Sequence, residues 1–323
     1  MFEKLKDAKR LLIEAQLAPI QGDRFQPTGF PDLGAATYRL HDGTRMLLVE
    51  SAQSVANRLE NTIIGPDNEL IEELQGLSYI KAHLTGASNT TTNSLIEAHR
   101  INSPFIISDK KFQEAFKEAA GYETNKPIDW QKVATALFKY DINSLLHGMF
   151  LANLGDGRIK MPRAVTGFIE ASNVREVVSG GVKNNPIDPT GSLRAKNYKD
   201  AKVYSNVPYQ RTEFTAGCIT AFFNIDVGLF NSYSDNNMDV FALLVSLSLY
   251  KIRAFLEDGA RLRTACDLRS KTALTATEPE DYVIPERDEI LNQLQKKICA
   301  CKQFFADPPV TEIVTETVVN KKS

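Results

Sequence analysis

The spacing of apolar residues changes at Glu50. Before it, Ala35 to Leu40 and Arg45 to Glu50 alternate apolar and polar positions about His41-Asp42-Gly43-Thr44, the pattern of a β-hairpin. After it, Ala52, Val55, Ala56, Leu59 and Ile63 recur at helical spacing. Ser51 stands where an N-cap hydroxyl satisfies a free backbone N–H, so a helix is expected to about Ile64. Upstream, Arg10 to Ile20 is ambiguous between helix and strand, with Leu11, Ile13, Ala15 and Leu17 alternating. Gln21 to Gly34 holds three Gly and two Pro and reads as a loop, with Arg24 and Phe25 near its tip. Residues 65 to 155 read as predominantly helical, with helices over 110–120 and 130–153, another around Ile96 and His99, and a strand near 79–84. Val165 to Val178 and Phe214 to Phe230 read as strands. The polar stretch Ser179 to Ala201 between them is too poor in apolar residues to form a core. A helix over 235–258, capped by Ser234 and ended by Gly259, precedes a short strand at 272–277 and a helix over 285–305. The pattern is that of an α+β protein.

Composition narrows the possibilities. A chain of 323 residues that is 43% hydrophobic can bury a large core, as one elaborated domain or two smaller ones. The opening MFEKLKDAKR lacks the apolar centre of a signal peptide. The most apolar run, Val240 to Tyr250, is far shorter than the ~20 residues a bilayer requires and suits a buried helix. Cys218, Cys266, Cys299 and Cys301 give no disulfide framework, and Cys299-x-Cys301 lacks the spacing of zinc or redox pairs. A cytoplasmic protein with reduced core thiols and no membrane contact is expected. The net charge of −2 argues against a generic nucleic-acid binder. Its distribution softens that objection, because ten basic residues face four acidic ones between Arg158 and Arg211, a local +6. Such one-sided charge suits a protein that meets phosphate on one face and a protein neighbour on another, although charges scattered over loops would look the same.

Catalytic patterns are missing. There is no Gly-rich phosphate loop ending in Lys-Ser/Thr and no G-x-G-x-x-G after a strand. His41, His83, His99 and His147 are far apart and lack partners at metal-ligand spacing, and Asp32 and Asp42 are isolated loop acids of the kind that form turns. No enzyme activity, cofactor or metal is expected.

The helix after Ser51 carries the strongest binding signal. Opposite its apolar stripe lie Gln53, Ser54, Asn57, Arg58 and Asn61, all hydrogen-bond donors, at a helix N-terminus that itself attracts phosphate. The stretch LLVESAQSVANRLE at 47–60 resembles the CRISPR-associated backbone proteins of the Cas-seven type, in the repeat-associated mysterious protein superfamily. In these a strand runs into a Ser-x-Gln-Ser helix with basic residues. The resemblance is closest to the backbone subunit of type I-U, also called I-G, systems. PIQGDRFQPTGFPDLG at 19–34 and GARLRTACDL at 259–268 resemble the same family in the same order, although Asn57 stands where other backbone families often have Lys.

The resemblance makes 10–20 the first strand and implies a ferredoxin-like, RNA-recognition-motif core over 10–64 and 163–277. Its elements would run 10–20, 51–64, 163–178, 213–227, 235–258 and 272–277. A helical insertion at 65–155, a protruding β-hairpin thumb at 179–201 and a C-terminal helix and tail at 278–323 would complete a single elaborated domain. It also implies a non-catalytic subunit that oligomerises head to tail along CRISPR guide RNA (crRNA) in a type I antiviral surveillance complex (Cascade). The guide would pair with target DNA, and other Cascade subunits would join. Such a subunit holds RNA without reading its sequence. The RNA-binding candidates are Arg24, Phe25, Ser51, Gln53, Ser54, Asn57, Arg58, Arg158, Lys160 and Arg163, with Lys183, Arg194 and Lys196 in the thumb. Arg261 and Arg263 rank second, since pairing with a nearby Asp would explain them equally well. The alternatives are an endoribonuclease backbone subunit using loop Asp32 or Asp42 with a metal, and a self-assembling protein without nucleic acid.

Overall fold

The computed structural model describes residues 2–30, 32–193 and 205–319. Strand β1 (Leu11–Pro19) buries Leu11, Ile13, Ala15 and Leu17, so the ambiguous segment is a strand. Strand β2 (Arg45–Glu50) forms a hairpin with Thr37–Arg39 and leads into α1 (Ala52–Asn61), where the Ser51 hydroxyl accepts the Ser54 N–H at 3.3 Å. Val55, Ala56 and Leu59 are buried as the apolar stripe requires.

The block expected to be helical is mixed. Strand β3 (Tyr79–Gly86) pairs with Thr90–Asn93, and the segment around Ile96 and His99 is a turn leading to a 3₁₀ helix, Arg100–Asn102. The helix expected over 130–153 divides into α2 (Trp130–Tyr140) and α3 (Ile142–His147). Asp141 leaves helical geometry to cap α3, its carboxylate accepting the Ser144 N–H at 3.2 Å. Gly148, at φ +75°, then turns the chain into the strand Met149–Leu151.

The two strands expected around the polar insertion each divide. The first becomes β4 (Val165–Ser172) and β5 (Arg175–Lys183), and the second becomes β6 (Val207–Thr215) and β7 (Cys218–Ile225). Strands β4 and β7 stay in the core, while β5 and β6 pair only with each other as a separate ribbon. The chain turns into the helix Val227–Ser234, and then α4 (Met238–Glu257) begins under an Asn237 cap, three residues beyond the expected one. Strands β8 (Ala260–Arg263), β9 (Cys266–Ser270) and β10 (Thr275–Glu278) lead to α5 (Arg287–Cys301). The tail forms β11 (Val310–Thr317), which pairs in parallel with β3 in a second small sheet.

In the main sheet β1 pairs antiparallel with β7, β7 with β4, and β4 with β2. The other edge of β1 is shared by β9, opposite residues 17–19, and β10, opposite residues 12–14. Helices α1 and α4 cover one face, and the buried apolar residues form one continuous cluster from Leu5 to Ile313. The opposite face carries Leu12, Glu14, Phe168, Phe222 and Asn224. No described helix is long and apolar enough to cross a membrane.

A buried polar network ties α1 and α4 to the inserted block. Glu60 of α1 receives both Arg100 Nε, at 2.5 Å, and Nη2, at 2.7 Å, and the Asn143 amide at 2.9 Å. Lys251 of α4 donates to Asn143 and lies 2.9 Å from His147 Nε2. Burial holds the Lys251 ammonium down to about 7, against its usual 10.5. The unfolded chain therefore binds one more proton than the folded one above pH 7, and stability rises with pH there. Below pH 6 the buried Asp141, raised to about 6, and His147, lowered, pull in opposite directions; above pH 9 the raised thiols Cys266 and Cys301 oppose Lys251. Between pH 7 and 9 the unfolding free energy should climb by up to about 1.4 kcal/mol per pH unit. Urea titrations of Lys251→Met should show that climb flattened.

Candidate nucleic-acid interface

At the end of β2 a register irregularity opposite β4 turns Glu50 under the helix side of the sheet, where it is 0% exposed. An isolated carboxylate there would be very costly, and three donors meet it. Arg58 Nε donates to Oε1 at 3.0 Å, the Ser54 hydroxyl donates to the same oxygen, and Arg263 of β8 pairs with Oε2. Each arginine also fastens a second segment. Arg58 donates to the carbonyls of Arg261 and Leu262, and Arg263 to those of Gln26, at 3.0 Å, and Val49, at 3.2 Å. The start of α1, β8 and the loop after β1 are thereby fixed to one carboxylate. Partial burial lowers the pKa of both guanidinium groups. Two arginines on one carboxylate leave a net positive charge between two surface hollows. One, of about 480 Å³, is lined by Arg263, Gln26 and Thr212; the other, of about 250 Å³, by Arg58, Asn61, Arg261 and Asp258, whose carboxylate is taken up by Arg287.

Around this hub lie further donors. Arg163, just before β4, donates to the Gln53 side-chain oxygen, and the Gln53 amide donates to Asn57 at 3.1 Å, so Gln53 and Asn57 form an exposed row on α1 with the half-buried Arg163 at its end. Lys160 and Arg261 are exposed and make no ion pair among the described residues. The ribbon is rooted beside the hub. Phe25 and Phe214 exchange two backbone hydrogen bonds of 2.9 Å, and Arg24 and Arg211 both pair with buried Glu213, at 3.3 and 3.0 Å.

The family model for CRISPR-associated protein GSU0053 matches residues 11–176, just over half of the chain. The chain belongs to that family. Two of the three resembling blocks, 19–34 and 47–60, lie within the matched span. No curated protein sequence matches the chain. Solved structures give only loose likenesses. A chain of a "CRISPR RNA-guided surveillance complex, pre-nicking" is 13% identical with a TM-score of 0.41, over 76% of this chain and 71% of its own. A chain of a "CRISPR RNA-guided surveillance complex" is 13% identical at 0.33, over 76% and 60%. Thermofilum pendens Csc2 is 11% identical at 0.33, over 93% and 79%.

In this CRISPR-associated chain several sequence expectations need correction. Phe25 is no exposed RNA contact at a loop tip, because it is 1% exposed and anchors the ribbon. Arg58 and Ser54 are committed to Glu50 rather than free, since a buried charge outcompetes solvent for its donors. Ser51 is spent on capping α1. Arg158 pairs with Asp156 at 2.6 Å and donates to the Lys126 carbonyl at 2.9 Å, away from the hub. Arg263 pairs with Glu50, not with a nearby Asp. Lys183 ends β5 on the exposed ribbon, and Arg194 and Lys196 lie outside the described residues. Glu50 itself escaped sequence reasoning. Alternation sets Leu47 and Val49 inward and Glu50 outward, so the irregularity that turns Glu50 inward left no signal in the strand pattern; the one hint was an arginine eight residues on, in the following helix. Arg58→Glu should set a second carboxylate against Glu50 and cost about 3 kcal/mol or more in urea denaturation. Asn57→Glu, on the exposed row, should change stability by about 0.5 kcal/mol or less.

Proposed function

We propose that the chain is a non-catalytic, guide-RNA-binding backbone subunit of a type I CRISPR surveillance complex, stacked head to tail along the RNA. The observation that carries this reading is the excess of guanidinium over carboxylate at the Glu50 hub beside α1. Arg58 and Arg263 share the single carboxylate of Glu50, while Lys160, Arg163 and Arg261 make no ion pair among the described residues. Phosphate is the natural counter-charge for such a surface, and Gln53 and Asn57 add neutral donors for phosphate or the 2′-OH. Strands β10, β1, β7 and β4 lie in that spatial order, all antiparallel, with α1 and α4 on one face. This supports reading the core as ferredoxin-like, of the RNA-recognition-motif kind. In this account Glu50, Arg58 and Arg263 are positioning residues, and RNA contacts fall to the outer cations and amides.

The ribbon supports assembly between copies. A two-stranded ribbon is marginal alone in water, and this one leaves Val178 67% and Tyr209 51% exposed, with Val182 and Val207 beside them. A neighbouring subunit would cover these side chains. An RNA-cutting role for Asp42 is not favoured, because its carboxylate accepts the Thr44 N–H at 2.8 Å and serves the hairpin turn.

Expressed with a CRISPR array, the chain should co-purify with guide RNA protected at regular spacing; random-length RNA, or none, would contradict the reading. Charge reversal at Lys160 and Arg163 should weaken binding and reduce the log–log salt slope by about 0.7 for each phosphate no longer neutralised. Replacing residues 184–206 with a short Gly-Ser turn should preserve the melting temperature yet abolish long assemblies on RNA in electron micrographs. Normal-length assemblies would remove the arm from the account.

A further inference from the structure

The uncovered face of the main sheet has a chemistry of its own. Phe168 and Phe222, directly opposite each other on β4 and β7, stack with ring centroids 5.1 Å apart and planes inclined by 26°. Glu14 on β1 lies directly opposite Phe222, and the next row across the strands is Leu12, Asn224 and Thr166. These six side chains line a hollow of about 250 Å³. Two acceptors in it are idle. Asn224 Oδ1 is buried with no hydrogen-bond partner, and Glu14 has neither an ion pair nor a side-chain hydrogen bond among the described residues. Opposite and diagonal neighbours on an antiparallel sheet stand about 5–8 Å apart, so one planar group over Phe222 can reach both.

We infer that this hollow holds an arginine side chain presented by a partner protein. The guanidinium lies over the Phe168–Phe222 pair, donates to the Glu14 carboxylate, and donates a further N–H to Asn224 Oδ1. Arginine fits better than lysine, because its flat, forked donor set can stack and reach two acceptors together. The surrounding charge selects a cationic protein segment over nucleic acid. Glu170, which accepts the Tyr38 hydroxyl at 2.7 Å, and Glu278, opposite Leu12, join Glu14 on this face. The cations there stand at its ends, Arg10 neutralised by Asp226 and Arg269 opposite Ala18. Phosphate would be repelled where the aromatic pair stands. The sheet thus separates two kinds of contact, with cations on the helix side and an acidic, aromatic arginine socket on the other.

The test is saturation-transfer NMR on the full chain with a blocked Ser-Gly-Arg-Gly-Ser peptide and its citrulline analogue, which keeps the shape and loses the charge. The arginine peptide should bind at least about tenfold more tightly, the factor one charge-assisted hydrogen bond carries, with transfer concentrated on its side-chain methylenes. Glu14→Gln, close to isosteric, should lower that affinity about tenfold with an unchanged melting curve, and Phe168→Ala should lower it further. Glu289→Gln, on α5, should leave it unaltered. Equal binding of the citrulline peptide, indifference to Glu14→Gln, or displacement of the peptide by hexauridine would each overturn the inference. The peptide comparison and Glu14→Gln decide the matter even if Phe168→Ala fails to fold.

Discussion

A carboxylate without access to water must be neutralised by whatever groups can reach it, and those groups then lose the freedom to be elsewhere. Glu50 imposes this condition where β2 meets α1. Arg58 comes back from the second turn of the helix and Arg263 comes across from β8, and each carries backbone carbonyls of another segment with it. Glu60 imposes the same condition at the other end of α1 through Arg100 and Asn143. Breaking either buried pair by removing one partner costs several kcal/mol, so α1 is held at both ends. Its exposed row is presented at a fixed angle to β8 and to the root of the ribbon. A surface that grips a polymer without reading its sequence needs that constancy more than it needs any single strong contact.

The same arrangement divides the sheet electrically. At the hub the buried carboxylate of Glu50 is outnumbered by guanidinium groups, whereas the uncovered side carries Glu14, Glu170 and Glu278 around two phenylalanines. A net charge of −2 conceals this division completely. In the proposed reading, RNA on one side and a cationic protein segment on the other would not compete for one surface.

Local pattern revealed some of this and missed the rest for identifiable reasons. The change from period two to helical spacing at Glu50 and the Ser51 cap gave β2 and α1 closely, since both signals lie within one short segment. The parallel pairing of β3 with β11 joins segments more than two hundred residues apart, and no local signal announces it. Asp141 and Gly148 broke the expected 130–153 helix because a buried cap and a positive φ outweighed a long apolar run. Arg58 was correctly placed opposite the apolar stripe, yet its partners come from β2 and β8, and residue type alone does not distinguish a phosphate ligand from a clamp. Phe25 failed similarly: a loop rich in Gly and Pro suggested a tip, and the bridge to Phe214 made it core.

The central claim is that RNA lies on the helix side, across the outer cations above the Glu50 hub. Ultraviolet crosslinking of guide RNA in the assembled complex, read out by mass spectrometry of the crosslinked peptides, addresses this directly. The account predicts crosslinks in peptides containing Gln53 and Asn57, Lys160 and Arg163, Arg261, and the ribbon. Crosslinks concentrated on Phe168 and Phe222, with the α1 and β8 peptides unmodified, would contradict it.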